Sequence, residues 1–295
     1  MVTGVAVTVI SVLTTYFVIT YTENDTSETS DTITITSTPI NLKVSDKGPS
    51  RYFKGQSELF DIFGYNEDFY GYKPDGRVIY NHLEFVLKDE NAELYQDIGN
   101  LDHSQKTLFI APIFTMTAYS THGFYDYFKG ECDESCIKNI PIAYEENPIF
   151  TSSANSIKIL TLLGYPFLTD IEIDKHPEIL KKFDKVIVLH NEYVTKKEFD
   201  AITQHPKVIY LSPNALYAEI EVDYQEDTIS LVRGHNYPEQ KIKNGFDWEF
   251  DNSESEYLFC NDWEFYEINN GIMLNCYPEE IISQNATLLR MIKEY

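Results

Sequence analysis

Three clusters of polar side chains in this 295-residue sequence each follow directly on an apolar run, and their types are those of acid–base or metal chemistry. Val186-Ile-Val-Leu189 empties into His190, Glu192 and Tyr193. Thr107-Leu-Phe-Ile-Ala-Pro-Ile-Phe114 leads to Thr115, Tyr119, His122 and Tyr125. Lys207-Val-Ile-Tyr-Leu211 is followed by Asn214 and Tyr217. A carboxylate beside an imidazole can act as a general base, which makes His190 and Glu192 the catalytic candidates. Phenols and carboxylates are hard oxygen donors that suit a ferric or similar ion. Glu192 carries the strongest individual signal, because a carboxylate emerging from a buried strand needs a partner for its charge. Any one tyrosine carries little, since a chain with 22 of them places some near every strand end. Thr115, His122, Asn214 and Tyr217 remain as candidates for contact with a small substrate.

These side chains must be positioned by strands and helices in alternation. A short β-branched run such as Lys185 to Leu189 reads as a strand buried on both faces, hence a strand of a parallel sheet. From about Lys106 the order is a strand over 107–114, a helix over 153–164 closed by Gly164, a short strand over 169–174 and a short helix over 176–183. The strand over 185–189 comes next, then a helix to about His205 with a Thr195/Glu198 capping box, and a strand over 207–211. Short links between alternating elements imply right-handed crossovers and an α/β fold with a three-layer parallel sheet. The expected strand order is the flavodoxin-like 2-1-3-4, reversing between the strands at 107 and 185. Polar groups past the carboxyl ends of such strands lie where open α/β sheets build their sites. Beyond Glu219 the pattern turns antiparallel, with Asn269-Asn-Gly271 as a hairpin turn.

Composition removes several functions. Forty-seven acidic residues against 23 basic ones leave a net charge of -24, so no cationic excess exists to displace phosphate counterions, and nucleic acid is not a partner. No Gly-x-Ser-x-Gly elbow, dinucleotide Gly-x-Gly-x-x-Gly loop or P-loop is present, which argues against serine hydrolysis and nucleotide cofactors. Residues 1–21 form a segment without charged side chains, about the length that spans a bilayer, and read as a membrane anchor or signal segment. Residues 22–45, rich in Thr, Ser and Asp, read as a stalk, residues 46–105 as an N-terminal extension, and residues 106–295 as the α/β domain. Four cysteines fit an oxidising compartment outside the cytoplasm. Local pairing of Cys132 with Cys136 and Cys260 with Cys276 is the natural arrangement among three connectivities.

Four segments then match, in order, the C-terminal domain of the large (beta) subunit of N,N-dimethylformamidase. They are Phe114-Thr-Met-Thr-Ala-Tyr119, His190-Asn-Glu-Tyr193, Asn214-Ala-Leu-Tyr217 and Asn261-Asp-Trp-Glu-Phe-Tyr-Glu-Ile-Asn-Asn-Gly271, within roughly residues 107 to 280. That family resembles the class I glutamine-amidotransferase-like fold and holds a mononuclear iron through two tyrosines and a glutamate. The resemblance implies Glu192 and Tyr119 as metal ligands, with Tyr125 as the best match for the second tyrosine. The chain departs from the family in a shorter segment before Glu192 and in the Cys132/Cys136 loop. Two functions follow for an exported or membrane-anchored α/β domain. One is a metal-dependent hydrolase of amide C–N bonds, with iron or another transition metal and a small-molecule substrate. The alternative is a non-catalytic cell-surface binding module that keeps the fold.

Overall fold

The computed structural model describes residues 57–65, 68–72, 78–144, 148–250 and 260–295, with strands at 52–55, 18–19 and 35–36. Apart from β1 (Val18–Ile19), which pairs antiparallel with β2 (Ile35–Thr36), the expected anchor and stalk lie outside the described residues. Among the described residues no helix is long and apolar enough to cross a membrane.

In the extension, β3 (Tyr52–Gly55) and β4 (Phe60–Tyr65) precede the antiparallel pair β5 (Phe69–Tyr72) and β6 (Val78–Tyr80). A third strand, β7 (Glu84–Leu87), then joins β4 in a small antiparallel sheet, and α1 (Ala92–Ile98) follows. Phe60 stacks on Tyr95, and Leu59, Ile62, Phe85 and Ile98 enter the same core cluster as Phe109 and Leu160. The extension is therefore packed on the main domain.

The α/β region proceeds through β8 (Thr107–Ala111), α2 (Ile113–Ala118), α3 (Phe124–Phe128), β9 (Ile140–Pro141), α4 (Ala154–Leu162), β10 (Phe167–Thr169), α5 (Asp170–Lys175) and β11 (Lys185–Val188). It continues with β12 (Tyr193–Thr195), α6 (Lys196–Thr203), β13 (Val208–Tyr210), β14 (Ala218–Asp223), β15 (Thr228–Arg233), β16 (Phe265–Ile268), β17 (Gly271–Leu274) and α7 (Ala286–Glu294). The main sheet has the order β10-β8-β11-β13-β17-β16, parallel except for the last pair. Its first four strands stand in the expected order. Because side chains alternate along a strand, Phe109, Ile187 and Ile209 point to the layer of α1, α4 and α7, while Leu108, Ile110, Val186 and Val188 point to the layer of α5 and α6. Both faces are covered, which is why these strands read as unbroken apolar runs.

Several sequence expectations need correction. The strand expected over 169–174 is instead β10, which ends at Thr169, and Asp170–Lys175 is helix. Thr169 caps α5, its hydroxyl accepting from the Glu172 amide while the Glu172 carboxylate returns to the Thr169 amide. The strand expected over 107–114 ends at Ala111 and residues 113–118 are helix, so Thr115 and Tyr119 are carried by α2 and its C-terminal end. The hairpin at Asn269-Asn270 adds to the main sheet, with β17 parallel to β13. The late strands β14 and β15 form a second sheet with the earlier β12 and β9, in the order β12-β14-β15-β9, in which β12 and β14 are parallel.

Candidate functional site

The second sheet starts where the first ends. After β11 the chain runs through Leu189, His190, Asn191 and Glu192 straight into β12, so Glu192 lies between the carboxyl edge of one sheet and the first strand of the other. Its backbone is fixed on both sides. The amides of Glu192 and Tyr193 donate to Thr115 Oγ1 at 3.0 and 3.3 Å, and the Glu192 carbonyl accepts from the amides of Tyr217 and Ala218, both at 2.9 Å.

The side chain is fully buried, and every partner it has is a potential proton donor. His235 Nε2 stands 2.6 Å from Oε1. On Oε2, the Tyr119 hydroxyl donates at 3.0 Å and His190 Nε2 lies 3.3 Å away. The hydroxyls of Tyr119 and Tyr125 are 2.5 Å apart and their rings stack with centroids at 4.0 Å. With Tyr119 donating to the carboxylate, Tyr125 is the donor to Tyr119. Burial pushes the Glu192 carboxyl up, but the charges and hydrogen bonds of His235 and His190 prevail and hold it at about 2. Tyr119 moves the other way. Burial, then the Glu192 charge, raise its phenol well above the ordinary value.

His190 is oriented from behind. Its Nδ1 lies 2.6 Å from the Thr151 carbonyl, which can only accept, so Nδ1 carries one proton, and Nε2 donates to Glu192 when the ring holds a second. Its amide donates to Ser153 Oγ, at the left-handed residue (φ 64°) that opens α4. That turn is held by the C-terminal segment. Tyr277 accepts from the Ser153 amide and donates to the Phe150 carbonyl, with its ring 4.9 Å from that of His190. Glu279, fully buried, accepts from the amides of Asn155 and Ser156 at the start of α4, and burial drives its carboxyl up to about 7 against those donors.

Of the residues singled out from the sequence, the structure brings His190, Glu192, Tyr119 and Tyr125 into one cluster. Thr115 serves the backbone beneath them, and Tyr217 packs edge-on against His235 at 4.5 Å. Asn214 is buried, its Oδ1 accepting from the Ser212 hydroxyl, and its Nδ2, like that of Asn191, has no hydrogen-bond partner among the described residues. His122 is exposed on a turn and is not brought to the cluster. Disulfides join Cys132 to Cys136 and Cys260 to Cys276. His235 was missed from the sequence. It arrives on a loop after β15, and the only hint was the turn-rich run Gly234-His-Asn-Tyr-Pro238 around it.

Among the described residues no three His, Cys, Asp or Glu side chains form a metal-binding group. The phenols change that assessment. Ligand oxygens about 2 Å from one ion lie within about 4 Å of each other, and the two neighbouring pairs of the Tyr125–Tyr119–Glu192 chain, at 2.5 and 3.0 Å, lie within that limit. Two phenols and a carboxylate are also the hard donor set that a ferric ion favours. The residues present fit such an ion.

Comparison with known proteins gives one family. The model for "N,N-dimethylformamidase beta subunit-like, C-terminal" matches residues 74–264, beginning and ending earlier than the 107–280 span of the four matching segments. No curated protein matches the chain.

Proposed function

For a chain that belongs to the N,N-dimethylformamidase beta subunit-like C-terminal family, we propose a metal-dependent hydrolase of C–N bonds in small amides, exported or held at the cell surface. The observation that supports it is the convergence of two phenols on a fully buried carboxylate at the carboxyl edge of a parallel sheet. The strand order is in keeping with a flavodoxin-like or glutamine-amidotransferase-like layout, in which such an edge carries the site. Tyr119, Tyr125 and Glu192 would hold the ion, iron or a similar hard cation. It would supply Lewis acidity toward an amide carbonyl or a water.

The chain's own residues do the rest. His190, its Nδ1 proton tied to Thr151, has Nε2 for holding and delivering a proton. Asn191 and Asn214 each keep a buried amide donor for a carbonyl oxygen. The disulfides suit an oxidising compartment, and the apolar N-terminal segment would provide export or anchorage.

Metal analysis of the purified full chain, with an amine-release assay on N,N-dimethylformamide and other small formamides, tests this. A stoichiometric transition metal and amide cleavage that is lost in Glu192→Ala are expected. A chain that takes up no metal and cleaves no amide would be the non-catalytic binding module instead.

A further inference from the structure

Both oxygens of a buried carboxylate need partners, and the two oxygens of Glu192 are treated differently. Oε2 faces the Tyr119 phenol, and through it Tyr125, with His190 Nε2 3.3 Å away, while among the described residues His235 is the group that meets Oε1, at 2.6 Å. The loop that delivers His235 is built around that contact. Gly234, His235 and Asn236 all adopt positive φ (128°, 50° and 66°), a conformation that non-glycine residues hold only when their surroundings enforce it.

The enforcement is visible. The amides of His235 and Asn236 donate to the carbonyls of Lys243 and Ile242 at 2.9 and 2.6 Å, and Lys243 Nζ donates to Asn236 Oδ1. Arg233 ties the neck of the loop to the Gly245 carbonyl and to Asp247. At Gly245 an added Cβ would stand 2.3 Å from the Arg233 carbonyl, so only glycine permits the neck to close. The imidazole itself is walled by three rings, stacked on Tyr193 at 5.5 Å, edge-on to Tyr217 at 4.5 Å and tilted against Phe128 at 5.0 Å. Backbone strain, a closed neck and an aromatic box all fix one atom, Nε2, against one oxygen.

We infer that His235 is a positioning residue for the metal-binding carboxylate: by holding Oε1 it fixes the rotation of Glu192 and leaves Oε2 as the oxygen presented beside the two tyrosines. This rests on the metal reading above and adds to it a residue from a loop outside the segments that carried the family resemblance. A carboxylate without this clamp could turn within its pocket, and its ligand oxygen would leave the phenols.

Full-length protein titrated with ferric nitrilotriacetate tests the inference, read as bound iron and as the visible charge-transfer band of a ferric–phenolate pair. Wild type should bind one ion with that band. His235→Phe should bind about 10- to 100-fold more weakly or with a shifted band, and His235→Gln, which retains a donor, should recover much of the loss. Equal affinity and an equal band in wild type and His235→Phe would overturn the role of His235 and leave the metal reading standing. If wild type binds no iron, the metal reading falls, and crystals of His235→Phe decide the clamp. Glu192 rotated off Tyr119 supports it, and an unchanged Tyr119–Glu192 contact overturns it.

Discussion

Glu192 holds a negative charge where water does not reach, and its neighbours account for that. With a folded pKa of about 2 against an ordinary 4.5, the group contributes stability that is fully present above about pH 4.5 and is lost as pH falls toward 2. The size is on the order of 3 kcal/mol. Urea unfolding at pH 3 and pH 6 should therefore show a larger acid loss in wild type than in Glu192→Gln. Equal losses in the two proteins would sink the assignment of a charged carboxylate stabilised by His235 and His190. Much of this cluster was legible, because Glu192, His190, Tyr119 and Tyr125 follow closely on strands whose apolar runs announce them. His235 was not, since it lies 43 residues downstream of Glu192, and only folding of the second sheet brings the two together. Nothing in local periodicity encodes that return.

At the scale of elements, capping decides what alternation leaves open. Thr169-Asp-Ile-Glu-Ile-Asp174 alternates apolar and polar residues as a strand does, and six residues are too few to separate period 2 from period 3.6. The Thr169/Glu172 capping box settles it as helix, while the equivalent Thr195/Glu198 box of α6 was read directly because the helix behind it is longer. The start of α4 depends on a cap from far away, which no local pattern could reveal. There Glu279 satisfies the amides of Asn155 and Ser156, in the same turn whose Ser153 and Thr151 hold His190. Glu279→Ala removes the acceptor of two buried amides, each worth about 1–3 kcal/mol, and of the Ser156 hydroxyl, which can rotate to another partner. Chemical denaturation should show a loss of about 2–5 kcal/mol, with Glu279→Gln losing less because its carbonyl still accepts. A loss below about 1 kcal/mol in Glu279→Ala would mean that water replaces the carboxylate and that the turn does not depend on it.

Over the whole molecule, the two sheets and the C-terminal segment converge on the site, and one covalent link fastens the last of these. The Cys260–Cys276 bridge encloses the hairpin of β16 and β17, and Cys276 lies in the core cluster beneath the main sheet. The next residue is Tyr277, which holds the Phe150–Ser153 turn, and Glu279 follows two positions on. Cys260 Sγ also lies 3.2 Å from the Tyr277 carbonyl. In the chain-entropy model a loop of this length stabilises by about 3 kcal/mol, against about 2 for the short Cys132–Cys136 loop. Replacing Cys260 and Cys276 by serine should therefore lower stability more than the same change at Cys132 and Cys136. It should also release His190, because the segment behind its turn loses its tether. Thermal unfolding of both double variants measures the first effect. Hydrogen exchange at the amides of Ser153, Asn155 and Ser156 measures the second, with faster exchange expected only in the Cys260/Cys276 variant. Faster exchange in both variants alike would mean that the tether acts through global stability and has no particular connection to the site.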